Sequence, residues 1–384
     1  MNPALDDLAA HQVAYRFFDT EVVIRSDSSE IITRFDEIYR RFRVSSTVPR
    51  GLVCHVLAGD RPFGGPALVR EGKTHPINDP DILFDYAHTS ILNAALSQVR
   101  SHFLIHGAAL SADGAGIILA GHTGCGKTTL ALELVRRGCR FLSDDIAAIA
   151  DPKGFLKPLG SYLYPFPKSL GVWPGTRQLI PEADRLPQGR AGKQLVDIEA
   201  IYPHQLGEPC LPQVLVVLTS PRGETEQVGD ALYVTVDRVS EPLLTELSTI
   251  PGVNDVAVIG GQRLPVIRLS LPKRAFLEPA LEDICTRHQT LIFDVAKDGE
   301  HPPDFGTSPH LEPLPKAEAT LELLRRLRGG ARSAILQHEF QGSTIRLYLA
   351  LSEVVAKMSC HRLFVGRLKE MADLVCQAVK GDHD

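Results

Sequence analysis

Hydrophobic and polar positions follow two different periods along the chain, and these periods predict helices and strands in turn. Apolar residues recur three or four positions apart over 90–100, which predicts a helix. Residues 103–110 and 117–120 are short apolar runs typical of buried strands, and 129–137 has a helical pattern again. A further apolar strand ends at Asp144. This order of strand, loop, helix and strand predicts a βαβ unit with buried parallel strands.

The first 89 residues predict a smaller unit of mixed type. Residues 13–24 alternate between apolar and polar side chains, which predicts a strand. Ser28 begins a helical pattern, and 51–57 predicts a second strand. We therefore expect residues 1–89 to form an N-terminal α+β domain.

Residues 223–297 have a separate pattern. Its predicted elements are a strand over 232–236, a helix over 241–250, strands over 256–259 and 265–271, a helix over 276–288 and a strand over 290–295. The order β-α-β-β-α-β is that of ferredoxin-like, split βαβ modules. We expect this module to be an insertion between residues 90–222, the first part of a core domain, and 298–384, the C-terminal part of that core. The proline-rich stretch 297–316 predicts a linker.

Composition and charge narrow the classes of function. The 384 residues are 44% hydrophobic and 23% charged, as in globular proteins and unlike disordered chains or coiled coils. The net charge of −5 offers no basic surplus, so we expect no nucleic-acid partner. No run approaches the roughly 18 apolar residues of a membrane span, and the first residues do not resemble a signal peptide. We therefore expect no membrane partner. The seven cysteines form no C-x-x-C pair, which favours reduced thiols and a cytoplasmic protein.

The strongest chemical signal is a glycine-rich loop. Residues 121–128 have the sequence GHTGCGKT and match the pattern G-x-x-x-x-G-K-[ST] between a predicted strand and a predicted helix. Glycines let backbone N–H groups converge on phosphate oxygens, and the helix adds its positive N-terminal end. Lys127 supplies a charge to the β- and γ-phosphates, and the Thr128 hydroxyl can join a Mg²⁺ shell. The predicted nucleotide-binding residues are Gly121, Thr123, Gly124, Cys125, Gly126, Lys127, Thr128 and Thr129.

Two adjacent acids follow Lys127 at the end of a strand. One acid of the pair Asp144-Asp145 is enough to hold Mg²⁺ through water. A second acid allows another task, which is to accept the proton of an attacking hydroxyl. The residues alone leave open which acid does which. His106 lies on the strand before the loop, where a histidine is more often a packed core residue.

These residues together resemble one kinase family. The pattern is His106-Gly107, Gly114-Ala115-Gly116, the loop 121–128, Ala131-x-Glu133-Leu134-x-x-x-Gly138 and Asp144-Asp145. It resembles the catalytic core of HPr kinase/phosphorylase and of HPr-kinase-like kinases, including those that modify lasso-peptide precursors. A weaker likeness occurs at 360–365.

The resemblance implies an α/β fold, namely a P-loop kinase core of the type shared by HPr kinase and phosphoenolpyruvate carboxykinase. It also implies ATP and Mg²⁺ as cofactors. In that family the acid matching Asp144 is the catalytic base, the acid matching Asp145 supports the metal, and the histidine matching His106 lies in the active site. The family's second glycine-rich signature does not occur in this sequence, which puts phosphorylase activity and HPr as a substrate in doubt.

We therefore expect a kinase that transfers the γ-phosphoryl group of ATP to a hydroxyl, with a serine of a peptide or protein as the first choice of acceptor. A small-molecule hydroxyl is the close rival. Two further classes stay open, an NTPase that drives movement and a nucleotide-sensing module, and the family suggests a homo-oligomer. Two weaker signals, Lys168 and the run Arg325-Arg326-x-Arg328, are interpreted as an exposed loop lysine and a solvated helix end.

The phosphate-loop interpretation predicts that Lys127→Ala weakens both ATP binding and phosphoryl transfer. Loss of a charge-assisted contact to phosphate corresponds to a fall in affinity on the order of tenfold or more. Titration of ATP into the purified variant measures this directly, and an unchanged affinity would contradict the phosphate loop.

Overall fold

The computed structural model describes most of the chain. The described residues are 5, 8–45, 51–60, 62–122, 125–150, 161–172, 176–177, 194–219, 230–259, 264–271, 278–297, 305–329 and 333–381. The α-helices are α1 (Ser29–Tyr39), α2 (Leu83–Ser97), α3 (Lys127–Arg136), α4 (Ile198–Ile201), α5 (Glu241–Ser248), α6 (Glu278–Arg287), α7 (Lys316–Arg325), α8 (Thr344–Ala356) and α9 (Leu368–Gly381).

The strands make the protein a mixed α/β structure with several sheets. They are β1 (His11–Phe17), β2 (Thr20–Ser26), β3 (Leu52–Leu57), β4 (Ala67–Arg70), β5 (Lys73–Pro76), β6 (Phe103–Ala112), β7 (Ala115–Gly121), β8 (Arg140–Ser143), β9 (Ile146–Ala150), β10 (Tyr162–Tyr164), β11 (Leu170–Val172), β12 (Gln194–Val196), β13 (Leu211–Thr219), β14 (Asp230–Val236), β15 (Asp255–Ile259), β16 (Val266–Leu271), β17 (Ile292–Lys297), β18 (His310–Pro313) and β19 (Ser359–Phe364).

Contacts divide the chain into two units, Met1–Ser220 with Pro302–Asp384, and Pro221–His301. Within the larger unit, residues 11–97 form a leading module with a five-stranded sheet in the order β1-β2-β3-β4-β5. The helices α1 and α2 pack against its strands. The single strand predicted over 13–24 is wrong, because a tight turn at Phe18 (φ 57°) splits it into the antiparallel pair β1 and β2.

The centre of the larger unit is an eight-stranded sheet. Its main path is β10-β9-β6-β7-β13-β19-β18, and β8 also pairs with β6. The strands β7, β13 and β19 are parallel neighbours. The βαβ prediction is correct in strand direction but wrong about adjacency, since β6 lies between β7 and β8 and is antiparallel to both. A tight turn at Asp113-Gly114, where both residues have positive φ, pairs β6 directly with β7. Strand β6 therefore occupies the position next to β7 that the prediction gave to β8.

Both faces of this sheet are covered, as its nearly continuous apolar strands require. On one face Ile117 and Leu119 of β7 share a core with α3 and α9. Ile118 and Ala120 point the other way and share a second core with α7 and α8. The site described below lies at the end of β7, between these two layers of helices.

Some predicted boundaries in this unit are wrong. The α2 helix begins at Leu83 rather than at residue 90, and α8 has no predicted counterpart. The stretch predicted as a linker over 297–316 contains β18, which pairs with β19 at the edge of the sheet. An edge position tolerates the flanking prolines, because a missing N–H there breaks no internal ladder.

The smaller unit has the element order β14-α5-β15-β16-α6-β17, which agrees with the sequence prediction. Its sheet has the order β15-β16-β14-β17, and all neighbouring strands are antiparallel. Leu232, Val234, Leu243, Ile267 and Leu281 lie in a core between this sheet and the two helices. No helix in the described part of the chain is long and apolar enough to cross a membrane.

The close approach of β7 to β13 predicts a sharp effect of Gly116→Ala. A Cβ added at Gly116 would lie 2.7 Å from the backbone oxygen of Leu211, which cannot move without disturbing the central sheet. We expect this overpacking to lower the free energy of unfolding by about 1–3 kcal/mol. Denaturant titration of the variant measures the change.

Gly65→Ala is the matched control, because no atom lies within 4 Å of a Cβ added at Gly65. The control is expected to change stability by less than about 0.5 kcal/mol. Equal effects of the two substitutions would contradict the close approach of the strands.

Candidate active site

The glycine-rich loop connects β7 to α3, as the sequence predicts. The strand ends at Gly121 and the helix begins at Lys127. Gly126, which precedes the helix, has φ 92°, a left-handed conformation that favours glycine. The Cys125 side chain is buried in the core under the loop, which makes it a small packing residue rather than an exposed thiol. The predicted residues Thr123 and Gly124 lie outside the described residues.

The Lys127 side chain lies inside the loop. It is only 7% exposed, and its Nζ donates to the carbonyl oxygens of Gly121 at 2.9 Å and His122 at 2.5 Å. Thr128 is half-buried in the first turn of α3. The neighbouring Thr129 is buried and its hydroxyl lies 2.9 Å from that of Thr176. The loop therefore holds one cation at the positive end of a helix, the arrangement that favours a phosphate ligand.

The acids Asp144 and Asp145 occupy a break between β8 and β9. Ser143 pairs with Ala109 and Ile146 pairs with His106, so the two acids stand at an irregular step along β6. The Ser143 hydroxyl accepts the N–H of Ile146 at 3.1 Å, which stabilises this turn of the backbone. Because the strand is interrupted here, both carboxylates can be directed to one place instead of to opposite faces of the sheet.

Asp145 has two close partners on one carboxylate oxygen. Its Oδ1 lies 2.8 Å from Nη2 of Arg328 and 3.0 Å from Nδ1 of His106. Burial opposes ionisation, but the charge of Arg328 and the hydrogen bond with His106 hold the pKa of Asp145 well below its usual value. Asp145 therefore stays ionised and is a weak proton acceptor.

His106 is half-buried within the same cluster. Its Nδ1 lies 3.0 Å from Nη2 of Arg328 as well as from Asp145. Burial lowers the pKa of His106, and Asp145 opposes that shift without cancelling it. The imidazole is thus neutral at neutral pH. Gly107 pairs with Ala120, so His106 stands beside the first residue of the phosphate loop.

Asp144 has a different environment. Its side chain is 6% exposed, and its Oδ1 accepts no hydrogen bond from the residues that the structure describes. The nearest described cation is Lys168, whose Nζ lies 3.5 Å from Oδ1 of Asp144 and 4.0 Å from Oδ2 of Asp145. Burial disfavours a charged lysine, but the two carboxylates raise the pKa of Lys168 above its usual value. Lys168 is therefore charged, and its ammonium is the one described cation within 4 Å of Asp144.

The structure thus brings His106, Asp144 and Asp145 into one cluster and places it beside the loop that carries Lys127. Two further members of the cluster are residues that sequence reasoning places outside the site. Lys168, interpreted as an exposed loop lysine, is buried. Arg328, interpreted as part of a solvated helix end, lies beyond the end of α7 and is held against β6, where its N–H donates to the Leu104 carbonyl at 2.7 Å.

A sequence signal exists for each missed residue, although a weak one. Lys168 follows Phe166, an aromatic residue between two prolines, which indicates an anchored loop. Arg328 follows the apolar Leu327 and precedes two glycines, which is untypical of a solvated helix end.

Among the residues that the structure describes, no three His, Cys, Asp or Glu side chains form a group that could hold a metal by themselves.

Comparison with known proteins finds matches over the part of the chain that contains most of these residues. Residues 97–155 match the family described as HPr Serine kinase C-terminal domain, a span that includes His106, the phosphate loop and both acids. The chain is 28% identical over 100 residues to HPr kinase/phosphorylase of Clostridium novyi, covering 26% of this chain and 33% of that protein. It is 26% identical over 134 residues to HPr kinase/phosphorylase of Nitrosomonas europaea, covering 33% and 40%.

A third relative, HPr kinase/phosphorylase of Clostridium beijerinckii, is 42% identical over 52 residues, covering 14% of this chain and 17% of that protein. A solved structure, the Hpr(Ser) kinase/phosphatase from Coxiella burnetii, is 15% identical and covers 48% of this chain and 95% of that one, with a TM-score of 0.21.

Residues 97–155 belong to the HPr kinase C-terminal domain family, and through them the chain is a distant homologue of HPr kinase/phosphorylase. The chain covers less than half the length of each of these three relatives. The leading module, Lys168 and Arg328 all lie outside the span that the family model matches.

The ion pairs of Asp145 predict that substitutions of two nearby arginines, Arg328 and Arg325, change the free energy of unfolding by different amounts. Arg328→Ala leaves a half-buried carboxylate without its closest cation, and we expect a loss of about 1–3 kcal/mol in the free energy of unfolding. Arg325→Ala is the control, because Arg325 is exposed and its described ion pair is with Glu322 of its own helix. It is expected to change stability by about 0.5 kcal/mol or less.

Both variants are compared with the wild type by denaturant titration at neutral pH. If Arg328→Ala proves as mild as Arg325→Ala, the interpretation of Arg328 as the partner of Asp145 is wrong.

Proposed function

We propose that this protein is an ATP-dependent kinase that transfers the γ-phosphoryl group to a hydroxyl, with a serine of a peptide or protein as the acceptor. The observation that carries the proposal is the buried Oδ1 of Asp144, which has no described hydrogen-bond partner and lies in a cluster adjoining a phosphate loop. Nucleotide binding alone would not need a second acid beside the first. Transfer to a hydroxyl needs a group that accepts its proton.

The different partners of the two acids support a division of labour. Asp145 shares its Oδ1 between Arg328 and His106 and remains ionised, as a metal ligand must be. The described partner of Asp144 is the Lys168 ammonium alone, at 3.5 Å from its Oδ1. We therefore assign the base to Asp144, metal support to Asp145, and the orientation of Asp145 to His106.

The oxygen donors of this proposed site suit the chemistry of a Mg²⁺ ion. Mg²⁺ is bound in nucleotide sites through one or two protein oxygens together with substrate phosphates, so a cage of protein ligands is not required. The Thr128 hydroxyl at the start of α3 and the Asp145 carboxylate would hold it. When bound, the ion neutralises phosphate charge.

The proposed reaction is an in-line transfer. The acceptor oxygen forms a bond to the γ-phosphorus while the bond from that phosphorus to the β–γ bridging oxygen breaks, and ADP leaves. The hydroxyl proton passes to the Asp144 carboxylate. Lys127 and the backbone N–H groups at the start of α3 stabilise the negative charge on the phosphates.

The family of residues 97–155 supports a kinase as the class of enzyme, because the relatives' names describe a kinase. We further infer that the central sheet with α3 is a P-loop core of the HPr kinase and phosphoenolpyruvate carboxykinase type. The leading module and the unit Pro221–His301 fall outside the span that the family model matches, and we propose that acceptor recognition depends on them.

The test is transfer of label from γ-labelled ATP to serine peptides and to small hydroxyl compounds, with wild type and Asp144→Asn side by side. We expect the variant to keep its ATP affinity and to lose on the order of 10²- to 10⁴-fold in transfer rate, because the amide cannot accept the proton. Asp113→Asn is the control, since Asp113 is an exposed residue of the turn before β7.

Transfer by Asp144→Asn at the wild-type rate would contradict the assignment of the base. Loss of transfer in Asp145→Asn alone, with nucleotide affinity retained, would instead support the reverse assignment. Release of free phosphate without labelled acceptor would contradict a kinase and favour an NTPase.

A further inference from the structure

The loop that carries Lys168 is anchored in the leading module. Phe166, two residues earlier, is 1% exposed. Its ring lies 5.5 Å from that of Phe17 and 5.3 Å from that of Phe18, centroid to centroid, and 4.7 Å from that of Phe42. All three partners belong to the leading module, so the side chain of Phe166, which lies outside that module in the sequence, packs among the module's aromatic rings.

Hydrogen bonds fix the other side of Lys168. The Ser169 hydroxyl donates to the Glu37 carbonyl at 2.9 Å, and the Ser169 N–H donates to the Ile38 carbonyl at 3.3 Å. Both acceptors are in the last turn of α1, where helix carbonyls lack partners within the helix. The residues on each side of Lys168 are thus held by the leading module.

The end of α1 also carries a buried tyrosine. Tyr39, the last residue of α1, is buried and its hydroxyl lies 2.8 Å from Nε2 of His88. Burial first, and then the charge of Asp145, raise the pKa of Tyr39. The end of α1 therefore lies within electrostatic range of Asp145.

The ion-pair partners described for Lys168 are the two acids. Its ammonium lies closer to Asp144, at 3.5 Å, than to Asp145, at 4.0 Å. Asp145 already has Arg328 and His106, whereas Lys168 is the one described cation beside Asp144. A single buried cation beside a carboxylate with so few partners fixes where that carboxylate points.

We propose that Lys168 is a positioning residue for Asp144, and that the leading module holds it in place through Phe166 and Ser169. The inference rests on the proposed kinase function and gives the leading module a role in the chemical step. Lys168 acts by orienting the carboxylate that accepts the hydroxyl proton. Its loss is therefore expected to slow transfer without weakening the binding of ATP.

The first part of the test compares Lys168→Met and Lys168→Arg in the full chain. We expect Lys168→Met to lower kcat by on the order of 10- to 100-fold with KM for ATP nearly unchanged, because a misplaced base slows the chemical step. Lys168→Arg keeps the charge and is expected to recover a large part of kcat. Lys357→Met is the control, since Lys357 is exposed at the end of α8.

The second part is a double-mutant cycle between the anchor and the lysine. Phe166→Ala does not touch the acids, yet it is expected to lower kcat by about tenfold by releasing the loop. In the Lys168→Met background the same change is expected to lower kcat little further, because both substitutions remove the same function, the positioning of Asp144. Ser169→Ala, which removes only the hydroxyl bond to Glu37, replaces Phe166→Ala in the cycle if that variant does not fold.

The outcomes separate the two proposals. If the wild-type protein transfers no label to any acceptor, the kinase function and the role of Lys168 both fall. If wild type transfers label and Lys168→Met does so at the same rate, only the positioning role is overturned. Full additivity in the cycle, or no recovery in Lys168→Arg, would also overturn it, because either result describes general structural damage.

Discussion

Two adjacent carboxylates lie in a break of a largely buried sheet, and the rest of the site depends on balancing their charge. An ion taken out of water loses several kcal/mol of hydration, so each carboxylate needs a cation or hydrogen-bond donors close by. The flanking apolar segments β8 and β9 supply no cation at this point. Arg328 and Lys168 provide the positive charges, and they reach the acids from different parts of the chain.

This requirement joins parts of the protein that the sequence keeps far apart. Arg328 arrives from the segment after α7, which is fixed against β6 by backbone hydrogen bonds. Lys168 arrives from a loop held by the leading module. Both α1 and the strand pair β1 and β2 therefore contribute to a site whose loop and acids lie more than 80 residues later. A core of about 60 residues that matches a kinase family thus does not by itself neutralise its own acids.

The sequence predicts what is encoded by neighbouring residues and fails where distant residues meet. The phosphate loop, the start of α3 and the pair Asp144-Asp145 follow from local pattern, because turn, helix and strand chemistry act over a few positions. The position of β6 between β7 and β8 depends on a hairpin turn, and the turn decides which strands become neighbours in the sheet. That order is a property of the tertiary structure and is not visible in the local pattern. The local pattern indicates exposed positions for Lys168 and Arg328, since a charged residue near a loop is usually exposed. Only the fold places the carboxylates of Asp144 and Asp145 beside them.

The same charge balance distinguishes two acids that the sequence treats as equals. Asp145 has a guanidinium and an imidazole on one oxygen, so its negative charge is stabilised and its affinity for protons is reduced. Asp144 has one ammonium, 3.5 Å from its buried Oδ1, and that oxygen accepts no described hydrogen bond of ordinary geometry. A buried carboxylate oxygen without a hydrogen bond is costly for stability, and such a cost is commonly retained where a group must accept a proton during reaction. The difference in partners, rather than any difference between the side chains, makes Asp144 the stronger candidate for the base.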